Sequence, residues 1–370
     1  MALGLTDVQQ VAADLSEQIF ADLATTQRLV EVEASEVAVD LSLWTQLAAS
    51  GLLGLCLAED IGGSGAGVPE LAMVLEKQGR HVAPVPLAAT VISAMAVDRF
   101  ADADTRRAVL PNVVAGTVMM AAAVTSAGVS GFPSIRAVPA SGTTWSLSGR
   151  ELCVAGGPIA GWLLVPARDS MDEPALFLVS SATPGVSITT VATTDRQLSG
   201  HLDLAAAEGQ RVGGRDAVNW LVQAMTLGLC AIQCGVARAA TELTAGYISE
   251  RRQFGKPLAQ FQGVLMRIAD AHIATEAMAT TTYAAAEVLA QSGNCPEAVS
   301  IAKWWASQAG VAVVETALHL HGGAGNVLDY ALPRFYLWAK QNAISLGGPA
   351  YQLQILGELL EHRAGEQSQP

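Results

Sequence analysis

Apolar residues recur at helical spacing through the first third of the chain. The period is clear in residues 8–23, 41–49, 71–78 and 88–100. Positions that repeat every three to four residues lie on one face of a helix, which can then pack against its neighbours. The pattern therefore predicts a helical region over residues 6–112.

The pattern changes between residues 117 and 212. Short runs rich in Val, Leu, Ile and Thr alternate there with Gly, Ser, Pro and Asp, which is typical of strands separated by turns. The predicted strands lie at residues 119–124, 145–148, 163–167, 175–179, 186–191 and 200–204. Six or more short strands predict a β-barrel or a β-sandwich.

Long helical periods return after Gly213. They span residues 217–249, 258–291, 297–320, 333–345 and 350–362. Proline suits a helix start, where its missing N–H would have no helical partner, and four segments begin close to Pro257, Pro296, Pro333 and Pro349. The length and apolarity of these segments predict a bundle of four or five helices, followed by a frayed tail over residues 364–370.

The three regions together predict a multidomain α+β fold. We expect an N-terminal helical domain over residues 1–115, a middle β-barrel or β-sandwich domain over residues 116–213, and a C-terminal helix bundle over residues 214–370. The chain has 370 residues, of which 51% are hydrophobic and 15% charged. That apolar content predicts additional surface buried against other subunits.

Charge and cysteine usage exclude several classes of partner. The net charge of −13 argues against nucleic acid, which requires basic patches. The longest apolar runs, residues 108–127 and 224–240, are interrupted by polar residues, so we expect no membrane span. No basic segment followed by an apolar run begins the chain, and the five scattered cysteines lack a CxxC pair. These observations predict a cytoplasmic protein with reduced thiols.

Two sequence motifs carry the chemistry. The first joins Arg251, Phe254 and Gln262 across a break between two predicted helices, and the second is His-Leu-His-Gly-Gly-Ala-Gly-Asn at residues 319–326. With these motifs the chain resembles an acyl-CoA dehydrogenase over nearly its whole length. The resemblance implies FAD bound at a subunit boundary and an acyl-CoA substrate. It further implies cofactor contacts made across that boundary by Arg251, Gln253, Phe254, Gln262, His319, Gly322 and Gly323.

These motifs also allow two other interpretations. Arg251 and Arg252 could be only a solvated helix end. His319 and His321 could be metal ligands, but residues two apart on a helix diverge and no carboxylate or cysteine cluster accompanies them, so we expect no metal.

The half of the flavin site that the resemblance assigns to the chain itself is incomplete. The family segment Val-Thr-Glu-Pro-x-Ala-Gly-Ser-Asp matches residues 124–132 here, where the Thr is kept but the Glu-Pro and the Asp are lost. The next family strand places a Trp and a Thr against the flavin ring. Cys153 and Ala155 stand at those positions. These changes predict a weak or absent flavin-ring site.

The catalytic base that the resemblance implies is also missing. The usual family Glu stands six residues after an Ala-Lys pair, which is Leu346 counted from Lys340. A branch of the family places its Glu on the first bundle helix, and Met225 stands at that position. Neither side chain can accept a proton, so we predict no catalytic residue. Asp329 and Glu315 remain open as substitutes from sequence alone, and Glu242 is either a substrate contact or a solvated carboxylate.

The resemblance then implies one subunit of a heteromeric, α2β2 acyl-CoA dehydrogenase. A homologous partner would supply the catalytic Glu and the ring pocket, and an electron-transferring flavoprotein would accept the electrons. The resemblance to actinobacterial enzymes extends to a steroid side-chain CoA thioester as substrate. Two alternatives stay open: a homotetrameric acyl-CoA dehydrogenase with a displaced base, and a flavin-free scaffold that binds acyl-CoA.

Overall fold

The computed structural model describes residues 6–327 and 329–367, in which helices precede and follow a layer of strands. The first helix is stabilised by a capping box, because Thr6 Oγ1 accepts from Gln9 N and Gln9 Oε1 accepts from Thr6 N. The N-terminal helices are α1 (Asp7–Leu23), α2 (Thr26–Glu33), α3 (Leu41–Ala49), α4 (Val68–Arg80), α5 (Leu87–Phe100) and α6 (Ala103–Val114). The predicted helical region is confirmed.

The middle layer is a closed barrel. Strands β4, β2, β3, β7 and β5 pair in that order, and β5 returns to β4, while β1 joins β4 and β6 joins β7. Side chains such as Leu147, Leu163 and Phe177 fill its interior. The elements are β1 (Met120–Ala122), α7 (Thr125–Ser130), β2 (Ile135–Pro139), β3 (Thr144–Ala155), β4 (Trp162–Arg168), β5 (Pro174–Ser180), β6 (Val186–Val191) and β7 (Ser199–Gly213).

All six predicted strands are present, but β2 and α7 were not predicted. Strand β2 begins two residues after Pro133 and ends at Pro139, and prolines usually mark turns rather than strands. Helix α7 has only six residues, too few to establish a helical period. Strand β3 is longer than predicted because its polar outer residues pair with β7 and do not need to be apolar.

The C-terminal bundle confirms the predicted long helices, with two corrections. The segment predicted to be helical from residue 258 begins with a 3₁₀ turn, and its helix starts at Gln262 after a short hairpin. The tail predicted to fray from residue 364 continues as helix to Gln367. The elements are α8 (Arg215–Glu250), β8 (Arg252–Gln253), β9 (Lys256–Pro257), α9 (Gln262–Ser292), α10 (Pro296–His321), α11 (Leu332–Ile344) and α12 (Pro349–Gln367).

Helix α8 runs through the centre of the molecule and contacts α4 backbone to backbone. A Cβ added at Gly79 would lie 2.0 Å from Ile232 O, and one added at Gly235 would lie 1.9 Å from Glu76 O, so only glycine permits this crossing. By length and composition alone α8 could cross a membrane, but 89% of its most apolar window is buried inside the structure. The core helices of globular proteins pass the same test.

The predicted domain boundaries, after residues 115 and 213, fall between α6 and β1 and between β7 and α8. The sheet residues Leu164, Leu176 and Leu178 nevertheless pack into the same apolar core as the helices. The division into three independent domains therefore stays a prediction.

Candidate functional site

A cavity of about 310 Å³ lies where the N-terminal helices, the barrel and the bundle meet. Its wall includes Met225 on α8 and Leu346, which follows α11. These are the two positions at which the family resemblance places a catalytic Glu. The tertiary structure thus brings both candidate base positions to one cavity, and both carry apolar side chains there.

The turn that presents Leu346 to the cavity is held in an unusual conformation. Leu346 has a φ of 55°, a left-handed backbone that a bulky residue rarely adopts, and Gly347 follows with a φ of 93°. Gln352 Nε2 donates to Leu346 O at 3.2 Å. A Cβ added at Gly128 on α7 would lie 2.6 Å from Leu346 Cδ2, so α7 packs directly against this side chain. The position is therefore fixed, but it offers no proton acceptor.

The other carboxylates considered from sequence do not line this cavity. Glu315 forms an ion pair with Lys340, and Glu242 pairs with Arg80 in a solvated position on α8. Asp329 is exposed. None of the three is therefore placed to act on a molecule in the cavity.

The sequence interpretation missed Asp195, the one carboxylate among the described residues of the cavity wall. Its Oδ1 accepts from Thr193 Oγ1 at 2.6 Å and from Gln197 N, and its Oδ2 accepts from Gln197 Nε2 at 2.9 Å. Asp195 therefore organises its own loop. No apolar period or motif surrounds it that could have predicted its place in the cavity.

The positions predicted to face a flavin ring also line the cavity. Cys153 and Ala155 at the end of β3 contribute to its wall with Thr125. No aromatic residue is present among the described lining residues, so the wall offers no ring for stacking. Cys153 has a φ of 52°, and its N–H donates to His201 Nδ1 at 3.2 Å.

Helix α7, where the family has a flavin-contacting loop, is anchored by a buried carboxylate. Glu151 accepts from Ser126 N at 2.9 Å and from the Ser126 hydroxyl, and the Ser134 hydroxyl donates to it at 3.2 Å. These hydrogen bonds satisfy the carboxylate without a cation. They also hold α7 in its contact with Leu346.

The hairpin β8–β9 carries the first predicted cofactor motif. Its two-residue turn is Phe254-Gly255, with φ values of 51° and 81°, as in a type I′ turn. The side chain of Phe254 is 93% exposed. Its ring meets the Phe261 ring edge to face, with centroids 6.3 Å apart, and is otherwise open to solvent.

Aromatic stacking joins the last turns of α8, just before this hairpin, to the second motif. Tyr247, one turn before Arg251, stacks on His321 with ring centroids 4.2 Å apart. Burial lowers the pKa of His321, and its Nδ1 contacts Ala317 O at 2.8 Å. The glycines that follow, Gly322 and Gly323, have open space where a Cβ would stand. The predicted residues Arg251, Gln253, Phe254, Gln262, His319, Gly322 and Gly323 thus lie at one end of the bundle, all exposed.

This end of the bundle carries unpaired positive charge. The guanidinium groups of Arg251, Arg252 and Arg267 are exposed and form no ion pair with any residue that the structure describes. Lys256 lies over the Phe261 ring, with its Nζ 4.3 Å from the centroid. In a chain of net charge −13, such a group of free cations favours an anionic partner.

The cavity and the end of the bundle that carries the cofactor motifs do not meet within one chain. No residue of the cofactor motifs lines the cavity, although the cavity wall holds both base positions and both ring positions. Among the described residues, no group of three or more His, Cys, Asp or Glu is arranged to hold a metal ion.

Comparison with known proteins identifies the class to which this fold and this site belong. Residues 7–117 match the acyl-CoA dehydrogenase N-terminal domain, and residues 213–360 match the C-terminal domain. The chain therefore belongs to the acyl-CoA dehydrogenase family, and the expected fold is confirmed.

One curated protein and two solved structures are similar to this chain over nearly its whole length. The chain is 34% identical to the acyl-CoA dehydrogenase FadE27 of Mycobacterium tuberculosis, over 96% of this chain and 97% of that protein. It is similar to a chain in the structure of the steroid ACAD Tcur3481-Tcur3483, with a TM-score of 0.92, 41% identity and coverage of 96% and 98%. It is also similar to a chain of the ChsE4-ChsE5 complex from Mycobacterium tuberculosis, with a TM-score of 0.92, 33% identity and full coverage of both chains.

Proposed function

We propose that this chain is the non-catalytic subunit of a heteromeric acyl-CoA dehydrogenase. The observation that carries the proposal is the cavity, where Leu346 and Met225 occupy both family positions for the base. Removal of the α-proton of an acyl thioester needs a general base within reach of that proton, and neither side chain can act as one. Dehydrogenation by the complex then takes place in a homologous partner subunit.

The cofactor of the complex is FAD, and the chain contributes to its binding from across the subunit boundary. When bound, FAD accepts the hydride from the acyl group. Arg251 fits the pyrophosphate, since its guanidinium is exposed and unpaired among the described residues and can form charge-assisted hydrogen bonds to phosphate. The family resemblance also assigns Gln253, Phe254, Gln262 and His319 to this end of the cofactor. Gly322 and Gly323 leave room for close backbone approach.

The residues of the cavity fit a flavin ring poorly. Cys153 and Ala155 offer neither a stacking surface nor a hydroxyl, and Leu346, packed against α7, adds only an apolar side chain to the wall. The chain would therefore hold the adenosine and pyrophosphate end of the cofactor whose ring lies on the partner. This division explains why the two regions do not meet within one chain.

The similarity to chains of the Tcur3481-Tcur3483 and ChsE4-ChsE5 structures supports a homologous partner in an α2β2 assembly. The Tcur3481-Tcur3483 protein is a steroid ACAD, which supports a steroid side-chain CoA thioester as substrate. An electron-transferring flavoprotein is the proposed electron acceptor. We propose a cytoplasmic location, which suits the five free cysteines.

A second candidate is a homotetrameric dehydrogenase with a displaced base, and Asp195 is the observation that favours it. This carboxylate lines the cavity, although three hydrogen bonds from its own loop engage it. If Asp195 were the base, the chain purified alone would be yellow and would oxidise an acyl-CoA, and Asp195→Asn would abolish that turnover.

The flavin content of the purified protein tests the proposal. The chain alone is expected to be nearly free of flavin, and the chain co-purified with its partner should carry a single flavin per pair. In the complex, Arg251→Ala should weaken flavin binding by roughly tenfold or more, because a charge-assisted hydrogen bond contributes about 1.5–3 kcal/mol.

The matched control is Arg136→Ala, an exposed arginine on β2 that should leave flavin content unchanged. A stoichiometric flavin on the chain alone would contradict the proposal. A colourless complex would favour the flavin-free scaffold.

A further inference from the structure

We infer that Tyr247 is a positioning residue for the flavin, because its ring holds Arg251 and the glycine turn Gly322–Asn326 in one fixed arrangement. Tyr247 lies on α8, one turn before Arg251, and its carbonyl oxygen accepts from Arg251 N at 2.8 Å. Any residue at this position would make that backbone bond. The side chain reaches the second motif: its ring stacks on His321 with an interplanar angle of 20°, and its hydroxyl donates to His321 O at 3.4 Å. Tyr247 therefore contacts both cofactor motifs.

The His321 ring, on which Tyr247 stacks, is itself held at both nitrogens. Ala317 O can only accept, so Nδ1 donates to it at 2.8 Å, and in the neutral ring Nε2 accepts from the Tyr330 hydroxyl at 3.1 Å. Burial lowers the pKa of His321 from its ordinary value of 6.5, which keeps the ring neutral at pH 7. The surface that Tyr247 meets is therefore fixed in orientation.

The glycine turn begins directly after His321 and folds back over it. Gly322 has a φ of 59°, a backbone conformation that glycine adopts readily, and it ends α10. A Cβ added at Gly325 would lie 3.1 Å from His321 Cβ, so the turn packs closely on this residue. Gly322 and Gly323, in contrast, are exposed. The position of these two glycines thus depends on the residue on which Tyr247 stacks.

This arrangement matters because the two motifs are assigned to the same end of the cofactor. A guanidinium binds phosphate best with a defined geometry, and groups that are already in place lose less conformational entropy on binding. The inference rests on the proposed function, which assigns the pyrophosphate to Arg251. A stack with only a structural role would instead lower the unfolding temperature of the chain and leave the flavin affinity of the folded complex unchanged.

The flavin affinity of the complex tests the inference. The dissociation constant is measured by titrating the flavin-stripped complex with FAD and following the change in flavin fluorescence. Tyr247→Leu removes the ring and should weaken FAD binding at least about fivefold, whereas Tyr247→Phe keeps the ring and should bind within about twofold of the wild type. Tyr336→Leu, at a half-buried tyrosine of α11 that packs on Lys340, is the matched control and should leave the affinity unchanged. Unchanged affinity in Tyr247→Leu, or equal losses in Tyr247→Leu and Tyr247→Phe, would overturn the inference.

A double-mutant cycle with Arg251→Ala separates positioning from a structural effect. If the ring acts by fixing Arg251 relative to the glycine turn, its loss should matter little once the guanidinium is gone. Tyr247→Leu should then weaken FAD binding by less than about twofold in the Arg251→Ala background. Equal losses in both backgrounds would overturn the inference.

The same cycle distinguishes failure of the inference from failure of the proposed function. Arg251→Ala that binds FAD as tightly as the wild type would overturn the proposed pyrophosphate contact, and the inference with it. A loss of affinity in Arg251→Ala without one in Tyr247→Leu would overturn the inference alone.

Tyr330→Phe provides a milder test that does not depend on the folding of Tyr247→Leu. It removes the hydroxyl that donates to His321 Nε2 and keeps the aromatic ring. With the His321 ring less firmly held, FAD binding should weaken about two- to threefold. Thermal unfolding of the chain is the check on folding. An affinity equal to that of the wild type would overturn the inference even if Tyr247→Leu fails to fold.

Discussion

Three residues at positions that the family resemblance assigns to the flavin or the base share a left-handed backbone. Cys153, Phe254 and Leu346 have φ values of 52°, 51° and 55°, a conformation that costs non-glycine residues of order 1–3 kcal/mol. Each lies where the family places a flavin contact or the catalytic base. The chain therefore holds a strained backbone at each of these three positions, at a cost in stability.

Replacing Phe254 separates the stability of the chain from its function in the complex. Asn suits the first position of a type I′ turn, so Phe254→Asn should leave the unfolding temperature of the chain unchanged or slightly raised. The same change should lower flavin occupancy in the complex, because the exposed ring is lost. Ala206→Asn, another exposed residue with positive φ, serves as the control and should leave flavin content unchanged. Full occupancy in Phe254→Asn would show that this ring makes no contact with the cofactor.

Restoring a carboxylate at position 346 should not restore an active site. Leu346→Glu places an acid at the family position, but the cavity still lacks a platform for the flavin ring, and base and acceptor must be aligned for reaction. The buried acid should lower the free energy of unfolding by a few kcal/mol, about 2–4. The measurement is turnover of a complex whose partner has its own Glu replaced by Gln. Activity near the wild-type level would contradict the division between the subunits.

At the scale of elements, the end of α11 determines where Leu346 points. The last turn of α11 is held by Lys303 of α10, whose ammonium group donates to Asn342 O at 2.5 Å. Lys303 is 1% exposed and faces Cys230 of α8 rather than a carboxylate. A positive charge at a helix C-terminus is favourable, but burial opposes the charge and lowers the pKa of Lys303 to about 8.

Lys303 should therefore make stability depend on pH in an alkaline window. The unfolded chain, with the ordinary pKa of 10.5, binds the proton more tightly than the folded chain. The contribution of Lys303 to the free energy of unfolding is thus lowest below pH 8 and rises by about 2–3 kcal/mol towards pH 10.5.

Lys303→Met should remove this rise. The measurement is the free energy of unfolding of the wild-type chain minus that of the variant, taken from urea unfolding curves at each pH. Lys340→Met, at a solvated ion pair on α11, is the control and should leave the rise in place. A difference that stays constant from pH 7 to 10.5 would show that Lys303 keeps its ordinary pKa.

At the scale of the whole molecule, the bundle leaves an apolar surface uncovered. Leu265, Met266 and Ile273 share one face of α9 and are 54%, 56% and 65% exposed. They follow the hairpin that carries Phe254. Exposed apolar groups next to a proposed trans-acting site are consistent with an interface between subunits.

A charge on this surface should weaken assembly without unfolding the chain. Ile273→Lys is expected to change the free energy of unfolding by less than about 0.5 kcal/mol, because the residue is exposed. The same change should reduce the fraction of the chain that is bound to its partner in solution, which sedimentation velocity measures. Val138→Lys, an exposed apolar residue on β2, should leave assembly intact. Undiminished assembly of Ile273→Lys would place the interface elsewhere.

The sequence alone determined the order of the elements and the assignment to the family. The helical and strand regions follow from local periodicity, and Arg251, Phe254 and Gln262 are close enough in sequence to be recognised as a motif. Strand β2, helix α7 and the hairpin were missed because short elements flanked by proline or glycine carry little periodicity.

Only the tertiary structure decided which residues share the cavity. Met225, Cys153 and Leu346 come from three elements far apart in sequence, and only packing brings them together. The cavity position of Asp195 and the burial of Lys303 left no trace in the sequence pattern, because a polar residue inside a core has the same local signature as one on the surface. The physical reason is that periodicity records which face of an element is buried, whereas a site depends on what that face meets.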